Sequence, residues 1–294
     1  MPSLLSNRLA KRVLRPAFTL VEQRLERATN ALQADLDALH HEVADLRRQS
    51  YGLALLLDHA GRDDHRMPTA TQLDALVREV GTVTGASAEH ARRDLTVAYR
   101  TVVALEALGV GRMPGSASDV CGKLAAVPLL APPNGEVLEI GTGHGLLAAA
   151  LLRMLHRAGT EPRLTVVDPL EGGVEPLARE DVVRANLALC GNRQGKEALI
   201  LRGTSGDPEV RGALSGRAYG VVVIAGAPSG EAVLADLEWS EELAADGAVI
   251  VLDGHGDATR PGVREALAKH LANGSRLKLL GQIGRAAYLR ASRA

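Results

Sequence analysis

Seven consecutive residues, Glu139-Ile140-Gly141-Thr142-Gly143-His144-Gly145, carry the densest chemistry in this chain. Glycine at every second position permits a tight turn and lets a ligand approach the backbone, where a Cβ would block contact or a positive φ. The apolar run from Leu146 to Leu155 then predicts a helix whose N-terminal N–H groups face outward. Val137 to Ile140 predicts a short buried strand just before the turn. Strand, glycine-rich turn and helix are how open α/β sheets hold a nucleotide-like ligand beyond the carboxyl end of the strand. Asp168 follows 27 residues after Gly141, at the end of a second predicted strand. A carboxylate there can accept both hydroxyls of a ribose; the alternative is an Asp before Pro169 that only starts a turn. Glu139 can hold the loop's N–H groups or meet a ligand ammonium. Further along, Asp253 ends another strand and His255 follows it. An imidazole is a base near neutral pH, although a His between Gly254 and Gly256 can also be a solvated loop residue. His144 has similar standing and lies closer to a cofactor than to an acceptor.

The spacing narrows the ligand. A dinucleotide fingerprint, G-x-G-x-x-G, needs its third glycine at position 146, where this chain has Leu146. A nicotinamide dehydrogenase is disfavoured for that reason.

The elements that must position these residues follow from periodicity. After Pro132-Pro133 the chain alternates strand and helix. Strands are predicted at 137–140, 164–167, 198–201, 219–224 and 248–252, helices at 174–189, 231–243 and 261–271, and a terminal hairpin from 277–283 and 286–289. Continuous apolar runs at the first, fourth and fifth strands suit a sheet covered on both faces. The fold class is therefore α/β, with a doubly wound, mostly parallel sheet. Two helices, 71–80 and 88–108, precede it. A helix-turn-helix does not suit that pair, because its basic residues are mixed with acidic ones and no recognition helix stands out.

The N-terminal third has a different character. Six basic side chains between Arg8 and Arg27, with apolar residues at helical spacing, allow a weak peripheral contact with an anionic membrane surface. From Leu25, the residues Leu32, Leu36, Leu39, Val43 and Leu46 alternate by four and three, and Leu53 extends the frame. This is a heptad seam, which predicts a homodimeric coiled coil or one long helix folded back on its own domain. The expected organisation is an N-terminal helix at 1–60, a helical linker or cap at 61–130, and a ligand-binding α/β domain at 131–294.

Composition sets loose bounds. The chain has 294 residues, a net charge of −1 and 2% aromatic residues, so nothing points to nucleic acid or base-stacking platforms. Cys121 and Cys190 form no ligand or disulfide pattern. No signal-peptide core or membrane-span run is present, and a cytoplasmic location is expected.

The E-x-G-x-G-x-G loop resembles the first motif of the class I S-adenosylmethionine-dependent methyltransferases. Gly203-Thr204-Ser205, Ile224 to Ser229, Val233 to Leu237, Gly247 to Asp253 and Pro261-Gly262-Val263 are similar to one group within that class, the macrocin-type sugar O-methyltransferases and cephalosporin-hydroxylase-like proteins. The resemblance covers about half the chain and leaves out residues 1–120. It implies a seven-stranded Rossmann-like sheet and S-adenosylmethionine as cofactor. It also implies a cofactor site lined by Glu139, Gly141, Thr142, Gly143, His144, Gly145, Asp168, Gly203, Thr204, Ser205 and Ala225.

The chain departs from that group where its metal carboxylates stand. Ala225 and Pro228 follow strand four, and Gly254 follows Asp253. No metal site is expected, and His255 with Asp253 are the candidate catalytic residues. The resulting expectation is methyl transfer to a hydroxyl of a small molecule or sugar. The alternative is a catalytically degenerate, methyltransferase-like scaffold that oligomerises through its N-terminal helix.

Overall fold

The computed structural model describes residues 23–40, 42–43, 68–170, 180–190, 195, 197–226 and 229–293. The chain divides into two compact units, Met1–Tyr51 and Gly52–Ala294. The first contains helix α1, residues 23–40, on which Leu25, Leu32, Leu36 and Leu39 are exposed, as is Val43 just beyond it. The basic residues up to Arg15, and the seam positions Leu46 and Leu53, lie outside the described residues.

The second unit begins with three helices, α2 (Ala70–Thr84), α3 (Ala88–Leu108) and α4 (Ala117–Leu129). Each starts on a hydroxyl cap: Thr69, Ser87 and Ser116 accept from the first-turn N–H groups. Helix α4 is absent from the sequence-based expectation, which places only two helices, 71–80 and 88–108, before the sheet. The signal was there in Ser116-Ala117-Ser118-Asp119, a capping box in which Asp119 reaches back to the Ser116 N–H.

Strands and helices then alternate: β1 (Glu136–Ile140), α5 (Leu146–Arg157), β2 (Arg163–Asp168), α6 (Glu180–Ala188), β3 (Leu199–Arg202), α7 (Pro208–Leu214), β4 (Tyr219–Ile224), α8 (Gly230–Leu243), β5 (Ala244–Leu252), α9 (Pro261–Ala272), β6 (Leu277–Ile283) and β7 (Ala286–Ala291). The first five strands are parallel, β7 runs antiparallel to β5, and β6 pairs antiparallel with β7. The order is β3-β2-β1-β4-β5-β7-β6, the doubly wound, mostly parallel seven-stranded sheet that the sequence implies. Several limits shift by one or two residues, and α2 runs on to Thr84 rather than ending at Val80. β5 begins at Ala244 rather than Ala248. Short helix α7 follows the turn at Gly203, with Pro208 in its first turn. The part of the predicted 174–189 helix before Glu180 lies outside the described residues.

Strand alternation splits the core into two layers. Leu138, Ile140, Val222, Ile224, Ile250 and Leu252 pack under α8 and α9. Val137, Val221, Val223, Val249, Val251 and Tyr288 pack against α2 to α6. Full burial of each such aliphatic side chain contributes about 1.5–3 kcal/mol. Because side chains alternate with period two, Glu139 and Asp253 continue the second set and project toward α4. The order reverses between β1 and β4, and that switch point is where ligands of open α/β sheets bind.

Candidate active site

The glycine loop lies at the switch point. Gly141, Gly143 and Gly145 have φ of 82°, 55° and 77°, the left-handed region that favours glycine. At Gly141 space also decides, since a Cβ would lie 1.8 Å from the Ala225 carbonyl oxygen. Ala225 is thus the floor of the loop, and its N–H donates to the Ile140 carbonyl at 2.8 Å. A Cβ at Gly143 would meet nothing within 4 Å, so the loop faces open space there. Gly145 is the N-cap of α5 and supplies no side-chain cap. The first-turn N–H groups of α5 are therefore left for a ligand.

Asp168 holds this loop in shape. Its Oδ2 accepts from the Thr142 N–H at 2.7 Å and the Gly143 N–H at 3.2 Å, and its Oδ1 accepts from the Leu170 N–H at 2.8 Å. Charge-assisted bonds to backbone N–H groups are among the stronger ones. A carboxylate accepts about four bonds, and Oδ1, with one occupied, keeps a lone pair for a ribose hydroxyl. Both readings of Asp168 are compatible with this placement.

Glu139 is buried, and the Thr142 hydroxyl donates to its Oε2. Burial pushes its carboxyl up to about 7; the Thr142 bond opposes the rise, the Asp168 charge adds to it, and the Lys123 ammonium opposes it. Lys123 was not singled out from the sequence. It reaches from α4 to Asp253, with Nζ 2.9 Å from Oδ1 and only 4% of the lysine side chain exposed. A single Lys inside the apolar run Val120 to Leu130 was the available signal. The Tyr288 hydroxyl is buried on the same layer with no hydrogen-bond partner among the described residues.

The other sequence-derived positions take different roles. His144 packs its ring against Gly111, where a Cβ would lie 2.3 Å from His144 Cγ. Asn186, also not foreseen, clamps this region. Its Nδ2 donates to the carbonyls of His144 at 2.7 Å and Val110 at 2.8 Å, and its Oδ1 accepts from the Val110 N–H at 2.9 Å. Only this three-dimensional meeting of a loop and a helix 76 residues apart reveals it. Gly203 donates its N–H to the Asp168 carbonyl at 3.1 Å, which brings the Gly203-Thr204-Ser205 turn beside β2. The Thr204 N–H donates to Asp207 Oδ2 at 2.6 Å, and the Ser205 hydroxyl is spent on Asp236. Thr204 is exposed and its hydroxyl is the unspent one of the pair.

His255 follows β5 at the same edge of the sheet and is half-buried. Its Nδ1 lies 3.0 Å from Gln282 Oε1 on β6. Arg285, in the β6–β7 turn, bonds Asp119 at 2.8 Å and Asp257 at 3.2 Å, tying α4, the loop after β5 and the hairpin together. Among the described residues, no group of three or more His, Cys, Asp or Glu side chains could hold a metal ion. Pro228 lies outside the described residues.

Comparison with known proteins agrees with this geometry. Residues 138–254 match the family model described as a methyltransferase domain. That match, which lies on the sheet and the loop, identifies a methyltransferase domain within the chain. The matched segment runs from Leu138, the third residue of β1, to Gly254 and so contains the glycine loop, Asp168, Ala225 and Asp253. No curated protein matches the sequence. Among solved structures, the cofactor-bound Rv0187 from MTB is 23% identical, covering 78% of this chain and 100% of its own, with a TM-score of 0.46. The O-methyltransferase TomG from Streptomyces achromogenes, of tomaymycin synthesis and in complex with SAM, is 16% identical over 78% and 100%, with a TM-score of 0.48. The O-methyltransferase from Bacillus cereus in complex with SAH is 15% identical over 76% and 100%, with a TM-score of 0.46.

The chain's own residues suit the cofactor. An uncapped helix N-terminus, an open face at Gly143 and a buried acid that can meet an ammonium fit the methionine end, and Asp168 fits the ribose. Bound S-adenosylmethionine supplies an electrophilic methyl group on a sulfonium. Such a methyl needs no strong nucleophile, so the protein's work is to align an acceptor and take its proton.

Proposed function

We propose that this methyltransferase acts on a hydroxyl group of a small molecule or sugar, without a divalent metal bound at the ends of β4 and β5. The observation that carries the reading is the pairing at the end of β5, where the carboxylate of Asp253 is met by the Lys123 ammonium at 2.9 Å. A hard divalent cation wants several oxygen ligands, and Ala225 and Gly254 offer no side-chain oxygen beside Asp253. His255 is the base and Asp253 its neighbour at the acceptor. Glu139, the loop from Gly141 to Gly145, Asp168, the Gly203-Thr204-Ser205 turn and Ala225 hold the cofactor.

The same proposal takes residues 1–60 as an N-terminal helix, 61–130 as a helical cap and 131–294 as the methyltransferase domain. It places the protein in the cytoplasm as a homodimer joined by a coiled coil through α1, with at most a weak membrane contact at the basic N-terminus. Among the described residues no helix is long and apolar enough to cross a membrane.

The test is formation of S-adenosylhomocysteine in the presence of a panel of phenols, hydroxy acids and sugars, with and without EDTA. Turnover that survives EDTA supports the reading. Turnover abolished by EDTA and restored by Mg²⁺ refutes the metal-free part. Tight cofactor binding with no turnover on any hydroxyl turns the balance to a scaffolding role.

A further inference from the structure

His255 stands between two glycines, and the structure gives each a different reason. Gly254 has φ of 77°, where glycine is favoured. Gly256 does not occupy the left-handed region; what it needs is room. A Cβ there would lie 2.4 Å from Gln282 Nε2 and 3.1 Å from Gln282 Cδ. The chain therefore keeps position 256 bare where the Gln282 amide lies. The Gly256 N–H also donates to the Arg285 carbonyl at 2.9 Å, fastening the loop to the hairpin.

The amide has one orientation. Gln282 Nε2 donates to the Gly284 carbonyl at 2.6 Å. A carbonyl only accepts, so the nitrogen must face Gly284 and the oxygen must face His255. Gln282 Oε1 also only accepts, so His255 Nδ1, 3.0 Å away, must carry a proton. In the neutral ring Nε2 is then the basic atom, and it has no partner among the described residues. A base oriented through its other nitrogen by a third side chain is the logic of a catalytic triad.

We propose that Gln282 is a positioning residue for methyl transfer: it locks His255 in the Nδ1–H tautomer so that Nε2 takes the acceptor's proton. This rests on the hydroxyl-methylation reading above. In the step, the acceptor O–H bond breaks and its proton passes to His255 Nε2. The oxygen's electron pair forms the new O–CH₃ bond, and the C–S bond breaks with its pair returning to sulfur. The imidazolium then releases its proton to water.

The test uses the full-length chain with ¹⁵N-labelled histidine. Two-bond ¹H–¹⁵N correlations should show His255 protonated on Nδ1 in the wild type. Gln282→Leu should release the ring toward the Nε2–H tautomer that free imidazole prefers. Gly256→Ala, which leaves Gln282 in the sequence but displaces its amide, should do the same. Gln282→Glu, still an acceptor toward Nδ1, should keep the wild-type tautomer. With a hydroxyl acceptor that the wild type methylates, Gln282→Leu should lower kcat by on the order of tenfold or more, Gln282→Glu should restore much of it, and cofactor affinity should stay within about twofold. A wild-type Nε2–H tautomer, or a tautomer indifferent to Gln282, overturns the lock whatever the enzyme methylates. A tautomer that shifts in Gln282→Leu with kcat unchanged overturns its catalytic role. A locked tautomer in a protein that methylates no hydroxyl refutes the reaction assigned above instead, and with it that role.

Discussion

Lys123 Nζ and Asp253 Oδ1 lie 2.9 Å apart, joining α4 to the end of β5 through an ion pair whose lysine is 4% and aspartate 20% exposed. Removing one partner of a buried pair leaves the other charge uncompensated, whereas replacing both by apolar groups is often close to neutral. Lys123→Met should therefore cost about 2–4 kcal/mol, less than a fully buried pair because Asp253 keeps some contact with water. Adding Asp253→Leu should recover at least half of that. Denaturant unfolding of the two single variants and the double variant decides. Losses that simply add would show that the pair is not coupled.

Glu139 gives a pH signature. Burial raises its carboxyl to about 7, so the folded state holds the proton more tightly than the unfolded chain, whose carboxyl titrates near 4.5. The stabilisation is fully present below about pH 4.5 and is lost as pH rises through about 7, a swing of roughly 3 kcal/mol. Glu139→Gln has no proton to lose and can still accept from the Thr142 hydroxyl. The variant should gain on the wild type between pH 5 and pH 8, as read by urea unfolding at the two values. Parallel pH dependence in both proteins would contradict the burial argument.

Asp168 fixes the loop and is assigned to the ribose. Asp168→Ala removes charged partners from the Thr142 and Gly143 N–H groups. Cofactor affinity should drop by about 2–3 kcal/mol, and amide exchange at Thr142 and Gly143 should quicken. Weaker binding with unchanged exchange would mean that the side chain serves the ligand alone.

How much of this was legible in the sequence depends on the range of the forces involved. The strands of the sheet core were legible because burial on both faces writes itself as continuous apolar runs, as at Tyr219–Ile224, where expected and observed limits coincide. The glycine loop was legible because positive φ restricts residue type. Helix α4 was hidden because its apolar positions run all the way round, so no amphipathic period shows, and Pro128 lies inside it. The side-chain partnerships were hidden for another reason. Lys123 meets Asp253 across 130 positions, and Asn186 meets Val110 across 76. No local pattern encodes such a meeting; only the sheet order brings the residues together.

The seam on α1 predicts assembly. Leu25, Leu32, Leu36, Leu39 and Val43 are 43–69% exposed, and an apolar stripe at heptad spacing calls for a partner helix. Sedimentation of the full chain at micromolar concentration should give a dimer, and Leu32→Glu with Leu39→Glu should give a monomer of unchanged cofactor affinity. A monomeric wild type would place the partner of that stripe within the same chain.

The central claim is that the loop from Glu139 to Gly145, with Asp168, holds S-adenosylmethionine. Calorimetric titration of the full chain with S-adenosylmethionine and S-adenosylhomocysteine, with NADH as control, tests it most directly. The account predicts saturable one-site binding of both adenosyl ligands and none of NADH. A folded protein, verified by circular dichroism, that binds neither adenosyl ligand, or that binds NADH in their place, would contradict it.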